Sequence, residues 1–174
     1  PPPPHPAAPS AGGLGRVGEP LVFTAHHRLI LALTFTAGGE PLAASGRDLN
    51  INLGDPETGD LRDSLPIFIV DLADIDISLQ GNLLASGEAV WDLETGAEVF
   101  ILERGTYQAT FVAFSPDGST LALARFDRET RLLDLSTGEE IFRYPVLEET
   151  RTKRMEFSPD GTILAEGVIY GSIR

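Results

Sequence analysis

FVAFSPDGSTLALARFDRETRLLDLSTGEEIFRY, residues 111–144, reads as three short strands and the start of a fourth. Phe111, Val112, Ala113 and Phe114 form a compact apolar run. It halts at Ser115-Pro116-Asp117-Gly118, where proline presets φ, aspartate bonds back to the backbone and glycine supplies a positive φ. Leu121 to Ala124 resumes as a second strand, and the polar residues around Asp127 and Arg128 make the next reversal. Arg131 to Leu135 is a third strand, ended by Ser136-Thr137-Gly138, after which Glu140 to Tyr144 alternates polar and apolar. Four antiparallel strands joined by tight turns cannot bury both faces alone, so the unit needs neighbours of its own kind.

Those neighbours are written into the chain. Residues 157–165 repeat 114–122 almost residue for residue, residues 35–43 repeat them more loosely, and 77–85 more loosely still. The matching turn glycines, Gly39, Gly81, Gly118 and Gly161, are separated by 42, 37 and 43 residues. A second marker keeps the same phase: Asp55-Pro56-Glu57-Thr58-Gly59, Asp92-Leu93-Glu94-Thr95-Gly96 and Asp134-Leu135-Ser136-Thr137-Gly138. Two markers in one register define a repeat, because chance similarity does not keep both order and spacing. The second repeat is short, with 15 residues from Gly81 to Gly96 against 20 from Gly118 to Gly138. The loss falls in residues 85–90, so the middle hairpin there must be clipped.

A period near 40 residues with four strands per unit is the pattern of a β-propeller blade. At these residues the chain resembles the WD40 repeat family, with Trp91-Asp92 supplying the namesake dipeptide. The SPDG turn followed by a strand is also similar to the propeller repeat of the TolB type; the Asp-x-x-Thr-Gly turns and Trp91-Asp92 favour WD40. The expected fold is all-β, a propeller segment of three full four-stranded blades at about 21–64, 65–102 and 103–144 and a partial fourth at 145–174. That count is about half of a propeller, so ring closure is expected from missing blades or from self-association.

The resemblance also implies structural residues. In WD40 blades a His before the first strand bonds to a hydroxyl on the second strand, then to an Asp in the next turn, and the network ends on a Trp. His26 and Asp48 fall at two of these positions, but Gly54 stands where the Trp would be. In the third repeat Asp127 matches Asp48, while Leu133 and Gly105 replace the Trp and His. Cohesion is therefore expected from apolar packing: Trp91 between blades, Phe114 and Phe157 in the core, and alanine-rich second strands allowing close approach. Residues 66–70, Pro-Ile-Phe-Ile-Val, read as the buried opening strand of the second repeat.

Composition narrows the function. The 174 residues carry 13 basic against 26 acidic side chains, a formal net charge of −13, which disfavours nucleic-acid and anionic-membrane binding and would steer a basic partner surface inward. The absence of cysteine excludes disulfides and thiol chemistry and fits a reducing, cytoplasmic compartment. Residues 1–20, PPPPHPAAPSAGGLGRVGEP, read as a disordered linker that would join an upstream domain; a proline-rich ligand for an SH3-like partner is the sharper reading. All three histidines lie in the first 27 residues, and there is no GxSxG, HExxH or phosphate-loop motif. Adjacent His26 and His27 would point to opposite faces of a strand, which argues against joint metal binding.

Asp71, Asp74 and Asp76 are the densest carboxylate group, yet without a DxDxDG loop they read as a solvated approach to a strand rather than a calcium site. The basic run Arg151-Thr152-Lys153-Arg154 reads as a local partner for Glu148 and Glu149 rather than a phosphate site. No cofactor or catalytic residue is expected. What the resemblance implies is a non-catalytic scaffold for a protein or peptide partner, within a larger bacterial-type signalling protein. A lactonase-like propeller hydrolase and a TolB-like periplasmic scaffold are the alternatives.

Overall fold

The computed structural model describes residues 23–24, 26–36, 39, 41–67, 74–87, 89–101, 109–125, 129–145, 152–169 and 173. The expected linker at 1–20, together with Asp71, Gly105, Asp127, Glu148, Glu149 and Arg151, lies outside the described residues.

The described chain is all-β and contains no helix. Blade 1 consists of β1 (Ile30–Phe35), β2 (Leu42–Gly46), β3 (Asn50–Gly54) and β4 (Leu61–Pro66). Blade 2 has β5 (Ile75–Ile77), β6 (Leu83–Ser86), β7 (Ala89–Asp92) and β8 (Glu98–Ile101), and blade 3 has β9 (Ala109–Phe114), β10 (Thr120–Arg125), β11 (Glu129–Asp134) and β12 (Glu140–Pro145). Blade 4 begins with β13 (Thr152–Phe157) and β14 (Leu164–Val168). Within each blade the strands pair antiparallel in sequence order. Between blades, the first strands β1, β5, β9 and β13 lie side by side, so the sheets stand radially with their first strands innermost.

The two repeated turns build the same geometry each time. Gly39, Gly81, Gly118 and Gly161 all have φ between 71° and 82°, and each donates its N–H to the carbonyl three residues earlier at 2.7–2.9 Å. Only glycine takes that φ without strain. At the second turn, Asp92 Oδ1 accepts from the N–H groups of Glu94 and Thr95, and Asp55 and Asp134 act alike on their own loops. Just before each of these turns the ladder slips by one residue, at Leu53/Gly54, Val90/Trp91 and Leu132/Leu133. The same bulge in three blades re-aims the outer strand identically.

The core lies between blades rather than within them. Ala43, Ile51 and Leu53 of blade 1 meet Ile75, Ile77, Leu84 and Trp91 of blade 2. Ala85 and Val90 point the other way, onto Val112, Phe114, Leu121 and Leu123 of blade 3, because successive strand residues face opposite sides. Ala113, Ala122 and Ala124 then receive Met155 of blade 4, with Phe157 half-buried beside them.

Two expectations are corrected. Pro66 and Ile67 do not open blade 2: Pro66 closes β4, and buried Ile67 donates its N–H to Leu49 O at 2.9 Å, while Phe68, Ile69 and Val70 lie outside the described residues. The strand that pairs with β6 has to end where the Ser78–Gly81 turn begins, which places it at Ile75–Ile77. In consequence Asp74 and Asp76 do not belong to a solvated loop; they stand at and in the inner strand. The clipped hairpin is as read, with β6 and β7 four residues long and turning at Gly87 (φ 57°), whereas β10 and β11 have six.

Phe114 is 7% exposed at the blade 2–blade 3 contact. Phe114→Ala is expected to cost about 3–5 kcal/mol, read as a lowered denaturation midpoint; an unchanged midpoint would refute its place in the core.

Candidate functional site

Beside the four inner strands lies a cleft of about 630 Å³. Ile30 to Thr34, Asp74 to Asp76, Phe111 to Phe114 and Arg154 to Phe157 line it. Its chemistry is set by a shortage of backbone partners. β9 is an edge strand: among the described residues, no strand is hydrogen-bonded to its inner side to accept its N–H groups. Carboxylates from blade 2 do so instead. Asp76 Oδ2 accepts from Phe114 N at 2.7 Å while its Oδ1 accepts from Ile77 N at 2.9 Å, and Asp74 accepts from the Val112 N–H. The i, i+2 spacing of the two aspartates and of their two donors follows from the strand period.

These bonds hold the aspartates where water is scarce. Burial pushes the Asp74 carboxyl up to about 6, against the opposing pull of the Val112 N–H and of Arg154, and Asp76 adds to the rise by like charge. Burial also raises Asp76, with the Phe114 and Ile77 N–H groups opposing and Glu156 adding repulsion. Arg154 and Glu156 are themselves exposed at the cleft. Among the described residues, no three His, Cys, Asp or Glu side chains gather as a metal ion would require.

The residues singled out in the sequence are distributed as follows. His26, its side chain 1% exposed, lies with Nδ1 2.8 Å from Asp48 Oδ1 and Nε2 3.0 Å from Ala44 O. Asp48 Oδ2 also accepts from His27 N at 3.2 Å. Burial works against the ionised Asp48, but the His26 and His27 bonds outweigh it and hold the carboxyl below its usual range. The His-to-Asp link is therefore direct. Asn52 lies against the same ring, its amide nitrogen 3.3 and 3.4 Å from the two ring nitrogens, and accepts from Ser64 Oγ at 2.7 Å. Gly54 carries no tryptophan, and a Cβ built there would lie 2.3 Å from the ring of Phe23, which occupies the space. Trp91 is buried in the blade 1–blade 2 core, Phe114 contributes both its side chain to the core and its backbone to the Asp76 bond, and Phe157 lines the cleft.

The cleft aspartates were visible in the sequence only as a cluster. The signal that places them is the alternation Asp74-Ile75-Asp76-Ile77, whose isoleucines are only 6% and 8% exposed. Phe23 and Asn52 carry no comparable local signal, since their partners lie 31 and 26 residues away in the chain.

Radial four-stranded blades, paired turn markers and the inner cleft together define a WD40-type β-propeller, and the described blades are a part of one. No family model matches the chain. It is 30% identical over 148 residues to an uncharacterized WD repeat-containing protein of Synechocystis, a match covering 81% of this chain and 42% of that protein. Among solved structures it superposes on the crystal structure of the RRP9 WD40 repeats with a TM-score of 0.71 at 16% identity, over 78% of this chain and 44% of the other. The chain thus spans less than half the length of each.

Two outcomes follow. His26→Ala leaves Asp48 without its principal partner and is expected to cost about 1–3 kcal/mol, measured by chemical denaturation. Asp74 has a folded pKa raised from 3.8 to about 6, so its contribution to stability is full below pH 4 and is lost as pH rises to about 6. Asp74→Asn keeps an oxygen for the Val112 N–H but cannot ionise. It should be more stable than the parent at pH 7, with the difference vanishing near pH 4; a constant difference across that range would count against the burial of Asp74.

Proposed function

We propose that this chain is a non-catalytic protein-interaction platform, and that its inner cleft receives a cationic side chain, Lys or Arg, from a peptide partner. The observation that carries this reading is the pair Asp74 and Asp76, held in the cleft by the backbone of the neighbouring blade. Ionising them costs stability, so the fold on its own gains nothing from their charge. A cation entering the cleft offsets that cost and bonds to oxygen lone pairs already oriented. Arg154 supplies part of this compensation from the cleft wall, which sets the competition a ligand must win. Exposed Ile30 and Leu33 give the cleft an apolar margin, as a peptide needs for affinity beyond charge. The net charge of −13 would speed the approach of a basic partner.

Fluorescence anisotropy with short peptides carrying a central Lys or Arg tests the reading. Binding should weaken with salt, and Asp74→Asn should lower affinity by about tenfold. Equal affinity for a charge-reversed peptide, or indifference to Asp74→Asn, removes the cleft as the site. Turnover of lactone or ester substrates would remove the non-catalytic reading.

A further inference from the structure

The inner strands of blades 2, 3 and 4 share one register. Each ends opposite a leucine just before its serine-led turn: Ile77 pairs with Leu84, Phe114 with Leu121 and Phe157 with Leu164. Three residues back from those ends stand Asp74, Phe111 and Arg154, and all three line the cleft. One level of the cleft therefore runs from an anion in blade 2, past an aromatic ring in blade 3, to a cation in blade 4. One residue back from the same ends stand Asp76 and Glu156, so the next level carries carboxylates in blades 2 and 4.

The opposite charges at the first level do not meet. Arg154 lies near enough to favour the ionised forms of both Asp74 and Asp76, yet among the described residues its guanidinium forms no hydrogen bond or ion pair. The aspartates are turned elsewhere. Asp76 spends one oxygen on Phe114 N at 2.7 Å and the other on Ile77 N at 2.9 Å, and Asp74 accepts from the N–H groups of Val112 and Ile75. These bonds point both carboxylates at the backbone, and β9 separates them from β13. Arg154 is left exposed in the cleft with its planar fork of donors, the shape that matches a carboxylate. Glu156 repels an anion from the neighbouring level, which confines an anion to the level of Arg154.

We infer that the segment received by the cleft carries both charges: a Lys or Arg that bonds to the Asp74 and Asp76 carboxylates, and an Asp or Glu that accepts from the Arg154 guanidinium, with apolar atoms between them beside Phe111. This inference rests on the cleft reading proposed above and narrows it from a basic peptide to one of mixed charge. A ligand with a cation alone brings like charge toward Arg154. A ligand with both charges engages the guanidinium that would otherwise compete for the aspartates, so each contact strengthens the other. Arg154 is on this account the residue that sets specificity, and the aspartates are the residues that set the need for a cation.

The probes are end-blocked, labelled peptides in which Lys and Glu are separated by one, two or three alanines, and the same series with Gln in place of Glu. Titrated against the full chain, the Glu peptide of the best spacing should bind about tenfold more tightly than its Gln counterpart. That ratio should fall to one with Arg154→Gln and return in part with Arg154→Lys. Because Arg154 is exposed, both variants should keep the parent melting temperature. Binding that depends on Asp74 but shows a ratio of one at every spacing overturns this inference and leaves the cleft reading standing. So does an Arg154→Gln chain that binds both series more tightly by the same factor, since Arg154 would then be a competitor only. Failure of both series to bind, or binding indifferent to Asp74→Asn, removes the cleft reading and this inference with it.

Discussion

The second strands of blades 1, 2 and 3 have to be buried on both faces at once, and the rest of the structure follows from that constraint. Ala43, Ala44, Ala85, Ala122 and Ala124 are all 0–1% exposed. Small residues there let two sheets approach until the larger side chains of their neighbours fill the remaining volume: Trp91 and Leu84 on one side of blade 2, Phe114 and Leu123 on the blade 3 side. No blade owns a core; each contact belongs to two blades. Stability is therefore a sum of nearest-neighbour interfaces, and the open face of any terminal unit is apolar by construction. Leu33 and Phe35 of β1 and Phe142 of β12 are exposed apolar residues on blade faces.

Radial packing brings the first strands together near the axis without letting them form one continuous sheet. Their inner edges keep N–H groups that need acceptors, and an unpaired buried N–H costs about as much as a lost hydrogen bond. Between blades 2 and 3 the solution is a pair of aspartates. It satisfies the backbone but places two carboxylates close together in a partly dry cleft, exchanging one electrostatic debt for another. Neutral acceptors such as Asn would bond the same N–H groups without the repulsion. Burial makes charge costly there, whereas the hydrogen bonds that Asp55, Asp92 and Asp134 accept in the surface turns favour their ionised forms.

The turns were legible in the sequence because their causes are local. A positive-φ glycine and an Asp bonding two and three residues ahead are written within five consecutive positions, and two such markers in phase define the blade. Asp74 and Asp76 were not legible, because their placement depends on N–H groups of Val112 and Phe114, 38 residues further along. The strong apolar run at 66–70 outweighed the three-residue strand that follows it. Hydrophobicity marks what must be buried and does not say whether the segment lies inside a strand or between two. The direct His26–Asp48 link was half legible: both residues stood at matching positions, but the missing tryptophan gave no hint of what would replace it.

That replacement shows what the blade requires at the bulged position of its third strand. Gly54, Trp91 and Leu133 share it, and no common chemistry joins a glycine, an indole and an isobutyl group. What they share is a filled volume. Trp91 and Leu133 fill it with their own side chains, whereas at Gly54 the ring of Phe23 enters from another part of the chain, into space that any Cβ would deny it. Packing constrains the sum of volumes at an interface far more tightly than the identity of each contributor. A repeat can therefore lose its most recognisable residue and keep its geometry, provided a neighbouring segment brings the missing atoms. The same reasoning explains why His26 accompanies Phe23. Gly46 is bare where a Cβ would meet the His26 ring at 2.4 Å, so both rings sit on glycine platforms of blade 1, one holding volume and the other holding the Asp48 turn.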